Sequence, residues 1–564
     1  MENFATLDLI VVLFYLIGIA ALGIYQVTRI KSSGDFFAGG RSFNKWMMIT
    51  HSLGSGTHAD DPVGVTGAAY QRGISGIWYT YAYLFLTPFY WIIAPVFRRS
   101  RYLTTADFFE ARFSKGLGLL YAIMGVITFS VNMGTLLKGT GAIVHAVTDG
   151  YIPAWGAIWG MTIIFVAYGF AGGIVATIVT EFIQGLLIVV MSLLLIPFGL
   201  AKIGGFAGLH RLVAAEKFSL AAPEEITLVW IITASIINLI GIVAQPHIME
   251  VCSTGKTEFE GRVGFTYGCF VKRFCALGWA LTGVIVIALV ADGQIDGALL
   301  AEHREAAFGV GIRVLLPVGF TGLMFASILA AQMSSLSAFM VAGSALISRN
   351  MYKKYFVPEA DDKQVLRLAR LAGFLVVGLG LIFCFMVSGV AEALTIFWGI
   401  STLTGVFIWA GVLWRKTNAT GAWLSFITMG IIWSLLGPLG AKLLKPLFPA
   451  ISWLGLYADK AQLPQLVLAY LPAGIIVLII GSLMGKDLPK DILDKFYRLI
   501  HTPVGREQDL VQAGVDVVYQ GASEGHPWEL KHPHLVNWGG FAIGLLFAFF
   551  ILGLLYLLAN WGAA

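Results

Sequence analysis

Apolar runs long enough to cross a bilayer follow one another almost from end to end of this chain, and that succession leaves few architectures open. A backbone immersed in hydrocarbon must satisfy its own N–H and C=O groups, so spans of this length are read as helices. About fourteen runs qualify, near 6–28, 45–73, 75–98, 116–148, 152–172, 174–202, 227–251, 264–291, 311–348, 366–388, 390–414, 418–441, 465–485 and 536–560. Of the 564 residues, 58% are hydrophobic and only 12% charged, which excludes a soluble multidomain chain of this length. The expected class is an all-α polytopic membrane protein. Its first run lacks a basic leader and continues too far for a cleaved signal, so it reads as a retained span.

Positive residues collect in alternate loops: Arg29 to Lys45, Arg98 to Lys115, Arg349 to Arg370, Arg415 and Lys416, and the 486–535 segment. Cytoplasmic retention of basic loops then puts both termini outside the cell membrane. The net charge of +5 is accounted for by this orientation and calls for no nucleic-acid partner. Cys252, Cys269, Cys275 and Cys384 lie in or beside apolar segments without metal-type spacing, and read as buried thiols. The stretch ILDKFYRLIHTPVG suits a helix at the cytoplasmic interface, followed by a polar, poorly ordered segment.

Two spans are interrupted. THSLGSGTHADDPVG (50–64) carries Gly54, Gly56 and Pro62 with two acids, Asp60 and Asp61, that lipid would not tolerate. Five spans later NLIGIVAQPHIME (238–250) repeats the device with Gly241 and Pro246. Breaks at corresponding positions of two five-helix halves point to inverted repeats with a binding site near the midplane. The resulting division is 1–44, an extra helix and cytoplasmic loop; 45–202, the first repeat; 203–226, an external loop; and 227–414, the second repeat. After these come 415–485, two further helices with an external loop; 486–535, the cytoplasmic interfacial segment; and 536–564, the last helix.

On the ninth span Ala331, Ser334 and Ser335 stand at i, i+3, i+4, which gathers a carbonyl and two hydroxyls on one helix face. Oxygen ligands alone suit a hard monovalent cation such as sodium, and the break from Gly54 to Thr57 supplies the other half of a cage. Ser337 lies one turn on. Glu181, on the sixth span, is read as a ligand of a second cation, a proton carrier, or the partner of Lys138 or Lys272. His58, Asp60, Asp61, Asn132, Thr135, Gln245, His247 and Trp398 are expected to converge on a cavity. Carboxylates with aromatics suit a polyol or a cationic amine better than a simple anion. Trp78 and Trp91 are read as lipid-interface anchors.

In order along the chain, DFFAGGRS (35–42), VGVTGAAYQRGIS (63–75), LTTADFFEARF (103–113), TEFIQG (180–185), AQPHIM (244–249), LLPVGFTGLMFASILAAQMSSLS (315–337) and GVLWRKTNATGAW (411–423) resemble the sodium:solute symporter family. The likeness runs over most of the chain. It implies a LeuT-type fold of ten core helices, with one helix before them and three after. It also implies a sodium site at Ala331, Ser334 and Ser335 with backbone oxygens near Gly54 and Thr57. A second sodium, present in some members, would use Glu181, where aspartate is more usual, and Ser337. The expected function is sodium-coupled symport of a small organic solute, a sugar or other polyol first. Proton coupling, an amine or amino-acid solute, a transporter-like receptor and a membrane-embedded acid–base enzyme built on His58, Asp60 and Asp61 remain the alternatives.

Overall fold

The computed structural model describes residues 5–27, 43–102, 104–222, 225–437, 463–515, 517 and 525–563, with those at 19, 20, 22–27, 167–180, 250, 330, 334 and 362 given by backbone alone. The DFFAGGRS motif, the 438–462 loop, residues 516 and 518–524, and the Ser334 side chain lie outside the described residues. Among those described the chain is helical, with one isolated bridge between Phe43 and Gly255.

The principal helices are α1 (Thr6–Val27), α2 (Lys45–Gly56), α3 (Asp60–Arg72), α4 (Thr87–Ser100), α5 (Lys115–Val147), α6 (Ala154–Ile203), α7 (Leu228–Ile242) and α8 (Pro246–Ser253). They continue as α9 (Glu258–Ala291), α10 (Phe320–Ala345), α11 (Asp362–Met386), α12 (Val390–Leu413), α13 (Ala419–Leu436), α14 (Leu463–Met484), α15 (Lys490–His501) and α16 (Pro533–Asn560). Among the described residues ten helical segments are long and apolar enough to span, or eleven with the bent α7–α8 pair as one. The expected count of fourteen is not confirmed among the described residues. The first run is the 22-residue helix α1, Thr6–Val27. At 45–73 the break leaves α2 and α3 with 12 and 13 residues. The runs at 152–172 and 174–202 belong to one helical stretch, α6.

Both breaks are present, displaced from the glycines. Gly54 and Gly56 stay helical, and the chain leaves α2 at Thr57 with extended backbone (φ −130°, ψ 115°). What Gly54 provides is room: a Cβ there would lie 2.9 Å from Glu181 Cγ. Likewise Gly241 remains inside α7 against Ser401, and the path bends by 60° at Val243–Gln245 before Pro246 opens α8. Proline suits a first helical position because its missing N–H would have no intrahelical partner.

Side chains secure the helix ends. Asp8, fully buried on α1, accepts from the N–H groups of Gly319 (2.7 Å) and Gly322 (2.8 Å) at the start of α10. Arg112 donates to the carbonyls of Gly411, Trp414 and Thr417 at the end of α12. Both follow the sign of the helix dipole. The amphipathic α15 docks on protein, burying Phe496, Tyr497, Leu499 and Ile500, with the Tyr497 hydroxyl on Gly411 O at 2.7 Å. Trp78 and Trp91 are not lipid anchors: both are buried, and their indoles donate to Leu220 O and Val536 O.

Removing one carboxylate that satisfies two buried donors costs about 1–3 kcal/mol or more. Asp8→Ala is expected to lower the unfolding temperature of the purified protein by several degrees, with Asp8→Asn intermediate, as read by intrinsic fluorescence on heating.

Candidate functional site

The freed backbone groups of the first break are met by Gln332, which the sequence did not single out, and by Lys272, considered there only as a partner of Glu181. Gln332 on α10 accepts the Ala59 N–H at 3.2 Å through Oε1, while its amide donates to Leu136 O (2.6 Å) and Thr140 Oγ1 (2.8 Å) of α5. Lys272 on α9 donates to Gly56 O and pairs with Asp61 at 2.8 Å. At the second break Tyr121 donates to Ala244 O at 2.6 Å. α5 passes so close to the first break that a Cβ on Gly139 would sit 3.0 Å from Asp60 N. Irregular backbone at membrane depth persists only when protein re-satisfies it in this way.

Beside the first break, Ser335 Oγ lies 3.2 Å from Gly54 O and 3.1 Å from Ala331 O. Thr57, 2% exposed, has a buried hydroxyl with no hydrogen-bond partner among the described residues. The Ser335 hydroxyl thus stands between the Gly54 and Ala331 carbonyls, and the unpartnered Thr57 hydroxyl lies at the end of the same helix break; oxygen groups of this kind are what a hard cation takes. Of the expected cage, Gly54, Ala331 and Ser335 come together, and Thr57 closes the same break.

Glu181 is fully buried, and its Oε2 lies 2.5 Å from His51 Nδ1. Its named contact is thus His51 on α2 and neither of the lysines considered: Lys138 donates to Val387 O, and Lys272 serves Asp61 and Gly56. Ser337 donates to Phe165 O at 3.2 Å. No contact joins Ser337 to Glu181 among the described residues.

Between the two breaks lies a cavity of about 100 Å³ lined by His58, Asp60, Asp61, Asn132, Gln245, His247 and Trp398. Thr135 is the exception: it is fully buried, and its hydroxyl is returned to Val131 O at 2.9 Å. His58 Nε2 lies 3.0 Å from Ser55 O, so that nitrogen carries the proton, while Nδ1 faces Asp60 Oδ1 at 3.5 Å. The ligand atoms of His58, Asp60 and Asp61 lie within 4.8 Å of one another, and the Lys272 ammonium is already bound to Asp61. The expectation of an acid-lined cavity therefore needs correction. Lys272 and Arg273 also line it, so two cations balance the two aspartates. Neither was placed at the cavity from the sequence, where Lys272 was considered only as a partner of Glu181, because a Lys-Arg pair within α9 gives no break or motif.

Tyr79, Trp230 and Trp398 close one end, with ring centroids 5.5, 6.2 and 6.4 Å apart, and Tyr83 meets Trp398 at 6.3 Å. Beyond them opens a vestibule of about 1220 Å³, which shares Tyr79 as a wall. Glu305 on its lining accepts from Val390 N at 2.7 Å; burial pushes its carboxyl above the ordinary range, which those backbone donors partly oppose. The far side of the core is tied by Arg99 to Glu258 (2.8 Å) and Arg262 to Glu529 (2.6 Å), with Val504 N also bound to Glu258.

The model of the sodium:solute symporter family matches residues 36–429. A sodium/glucose cotransporter of Vibrio parahaemolyticus is 24% identical over 455 residues, 74% of this chain and 82% of the relative. A sodium/pantothenate symporter of Escherichia coli is 23% identical over 511 residues, 84% and 96%. A high-affinity proline transporter of Bacillus subtilis is 25% identical over 444 residues, 74% and 90%. Among solved structures, a substrate-bound outward-open Na+-coupled sialic acid symporter superposes with a TM-score of 0.71 at 17% identity, over 86% of this chain and all of that one. That likeness establishes the fold, a LeuT-type helical architecture.

Gln332→Leu strips the Ala59 N–H of its acceptor and two groups of α5 of their donor. A cost of about 1–3 kcal/mol follows for the buried groups left unpaired. The expected readout is a lower unfolding temperature together with faster amide hydrogen exchange confined to residues around 57–61.

Proposed function

The chain belongs to the sodium:solute symporter family, a family of transporters and not enzymes, and from that premise we propose that it moves a small organic solute by sodium symport with alternating access. The single observation that carries the reading is the buried oxygen cluster of Gly54 O, Ala331 O, Ser335 Oγ and Thr57 Oγ1, directly beside a cavity at the same helix break. We assign the coupling sodium to that cluster, with Ser334 as a further ligand. A second ion at Glu181 and Ser337 is less well served, since no contact joins the two among the described residues, so the proposal is one sodium per solute.

Sodium held between α2 and α10 orders Thr57 to Ala59, and that ordering sets His58, Asp60 and Asp61 for the solute. The linkage is reciprocal: a coupling of about 1–3 kcal/mol tightens each ligand some 5- to 150-fold in the presence of the other. The aromatic cluster of Tyr79, Trp230 and Trp398 serves as the outer gate, and the ion pairs of Arg99 and Arg262 as the inner one. In the proposed orientation the vestibule faces outside, as do both termini, and the 486–535 segment reinforces the cytoplasmic closure. The hydrogen-bonding walls of the cavity offer partners to a monosaccharide or an amino acid. A polyol would be held by Asp60, Asn132 and Gln245, with a ring face against Trp398.

In proteoliposomes, uptake is expected to require an inward sodium gradient at fixed pH and to stop when potassium replaces sodium. Persistence in potassium with an imposed proton gradient would point to proton coupling, and binding without flux would point to a receptor. Ser335→Ala is expected to raise the sodium concentration for half-maximal uptake about tenfold, the equivalent of about 1.4 kcal/mol. Unaltered sodium dependence in that variant would overturn the site assignment.

A further inference from the structure

We propose that the transported solute carries a carboxylate, and that Arg273 is the group that binds it; this rests on the transport reading and names its substrate class. Arg273 sits near the middle of α9, 3% exposed, where a guanidinium is costly unless something answers its charge. Its immediate neighbour Lys272 is provided for, with Asp61 and Gly56 O on its ammonium. Arg273 is not. Its Nε and Nη1 have no hydrogen-bond partner among the described residues, and no ion pair to it is formed there. Its charge lies over the face of Tyr83, 5.1 Å from the guanidinium carbon, with the Tyr90 hydroxyl nearby. A cation–π contact is worth about 0.5–2 kcal/mol and satisfies none of the five N–H donors.

Arg273 lines the cavity between the two breaks, together with Asp60, Asp61, Gln245 and Trp398. A buried guanidinium with two donors unspent, beside a solute cavity, presents a planar fork whose geometry matches a carboxylate. Neither of the protein's own carboxylates in that cavity is bonded to Arg273: Asp61 holds Lys272, and Asp60 lies 3.5 Å from His58 Nδ1, its Oδ1 without a hydrogen-bond partner among the described residues. The anion that completes Arg273 is therefore left for the solute to bring. A neutral polyol would leave both donors unmet by charge. The same chemistry is offered by an amino acid and by a sugar acid. They differ at the other end of the molecule, where an ammonium would be drawn to Asp60 and hydroxyls would bond to Asn132 and Gln245.

The test uses the purified full-length protein in lipid nanodiscs and matched pairs of probes, each with sodium or potassium: L-proline and L-prolinamide, D-glucuronate and D-glucose, L-lactate and 1,2-propanediol. Ligand binding to the folded state raises the unfolding temperature. At least one acid is expected to stabilise in sodium while its neutral partner does not, and the pair that responds separates the amino-acid from the sugar-acid source. Arg273→Gln is expected to weaken that acid about tenfold or more. Arg273→Lys, which keeps the charge and loses the fork, is expected to fall between and covers the case in which the glutamine variant does not fold. Neutral partners stabilising as well as acids, no acid stabilising at all, or an Arg273 variant that binds the acid as the parent does would each overturn the proposal. Sodium-linked stabilisation by a neutral solute overturns this inference and leaves symport standing, whereas solute effects indifferent to sodium overturn the symport reading itself.

Discussion

Everything in the centre of this protein depends on how backbone groups are satisfied where two helices stop inside the bilayer. Water is not at hand there, so each freed N–H and C=O needs a protein partner or a ligand. Gln332 reaches across from α10 for the Ala59 N–H, Lys272 from α9 for Gly56 O, and Tyr121 from α5 for Ala244 O. These three helices thereby become the frame of the site, and the helices that carry the breaks are held from outside. What is left over, the oxygens around Ser335 and Thr57 and the cavity between the breaks, is the part open to chemistry.

Charge is handled by the same logic of local compensation. Asp8 meets the N-terminus of α10, Glu305 that of α12, and Arg112 the carbonyl end of α12. On the basic face, Arg99, Arg101 and Arg262 bind Glu258, Glu507 and Glu529, which draws the 486–535 segment and the residues before α16 against the ends of α4 and α9. The C-terminal extension is thus packed into this end of the helix bundle and is no mere tether.

The all-helical membrane class and both breaks were legible because hydrocarbon imposes a length and a polarity that few sequences mimic, and because proline and paired aspartates cannot hide in an apolar run. Family resemblance was legible in the ordered motifs, and the matched family agrees. Ala331 and Ser335 could be paired from helical spacing, and the structure does bring them to Gly54. The exact break residues were not legible. Glycine signals both unwinding and close approach, and at Gly54 and Gly241 it is the approach that matters. Gln332, His51 and Arg273 escaped notice, and Lys272 was considered only as a partner of Glu181, because their roles come from partners far away in sequence and nothing local distinguishes them from ordinary polar residues on a helix. Thr135 erred the other way: one turn from Asn132 on α5, it points its hydroxyl into its own helix.

The bond from Asp8 to the start of α10 has a mechanical corollary. The helix bearing Ala331 and Ser335 is pinned at its tip by the first helix of the chain, through a carboxylate with two backbone N–H groups closed on it and with Gly322 in near contact with the Asp8 backbone. Any tilt of α10 must carry α1 along as one lever or tear that joint open. The leading helix thus rides with the scaffold, and its lipid-facing side becomes a handle through which the surrounding bilayer can load the helix that carries Ala331 and Ser335.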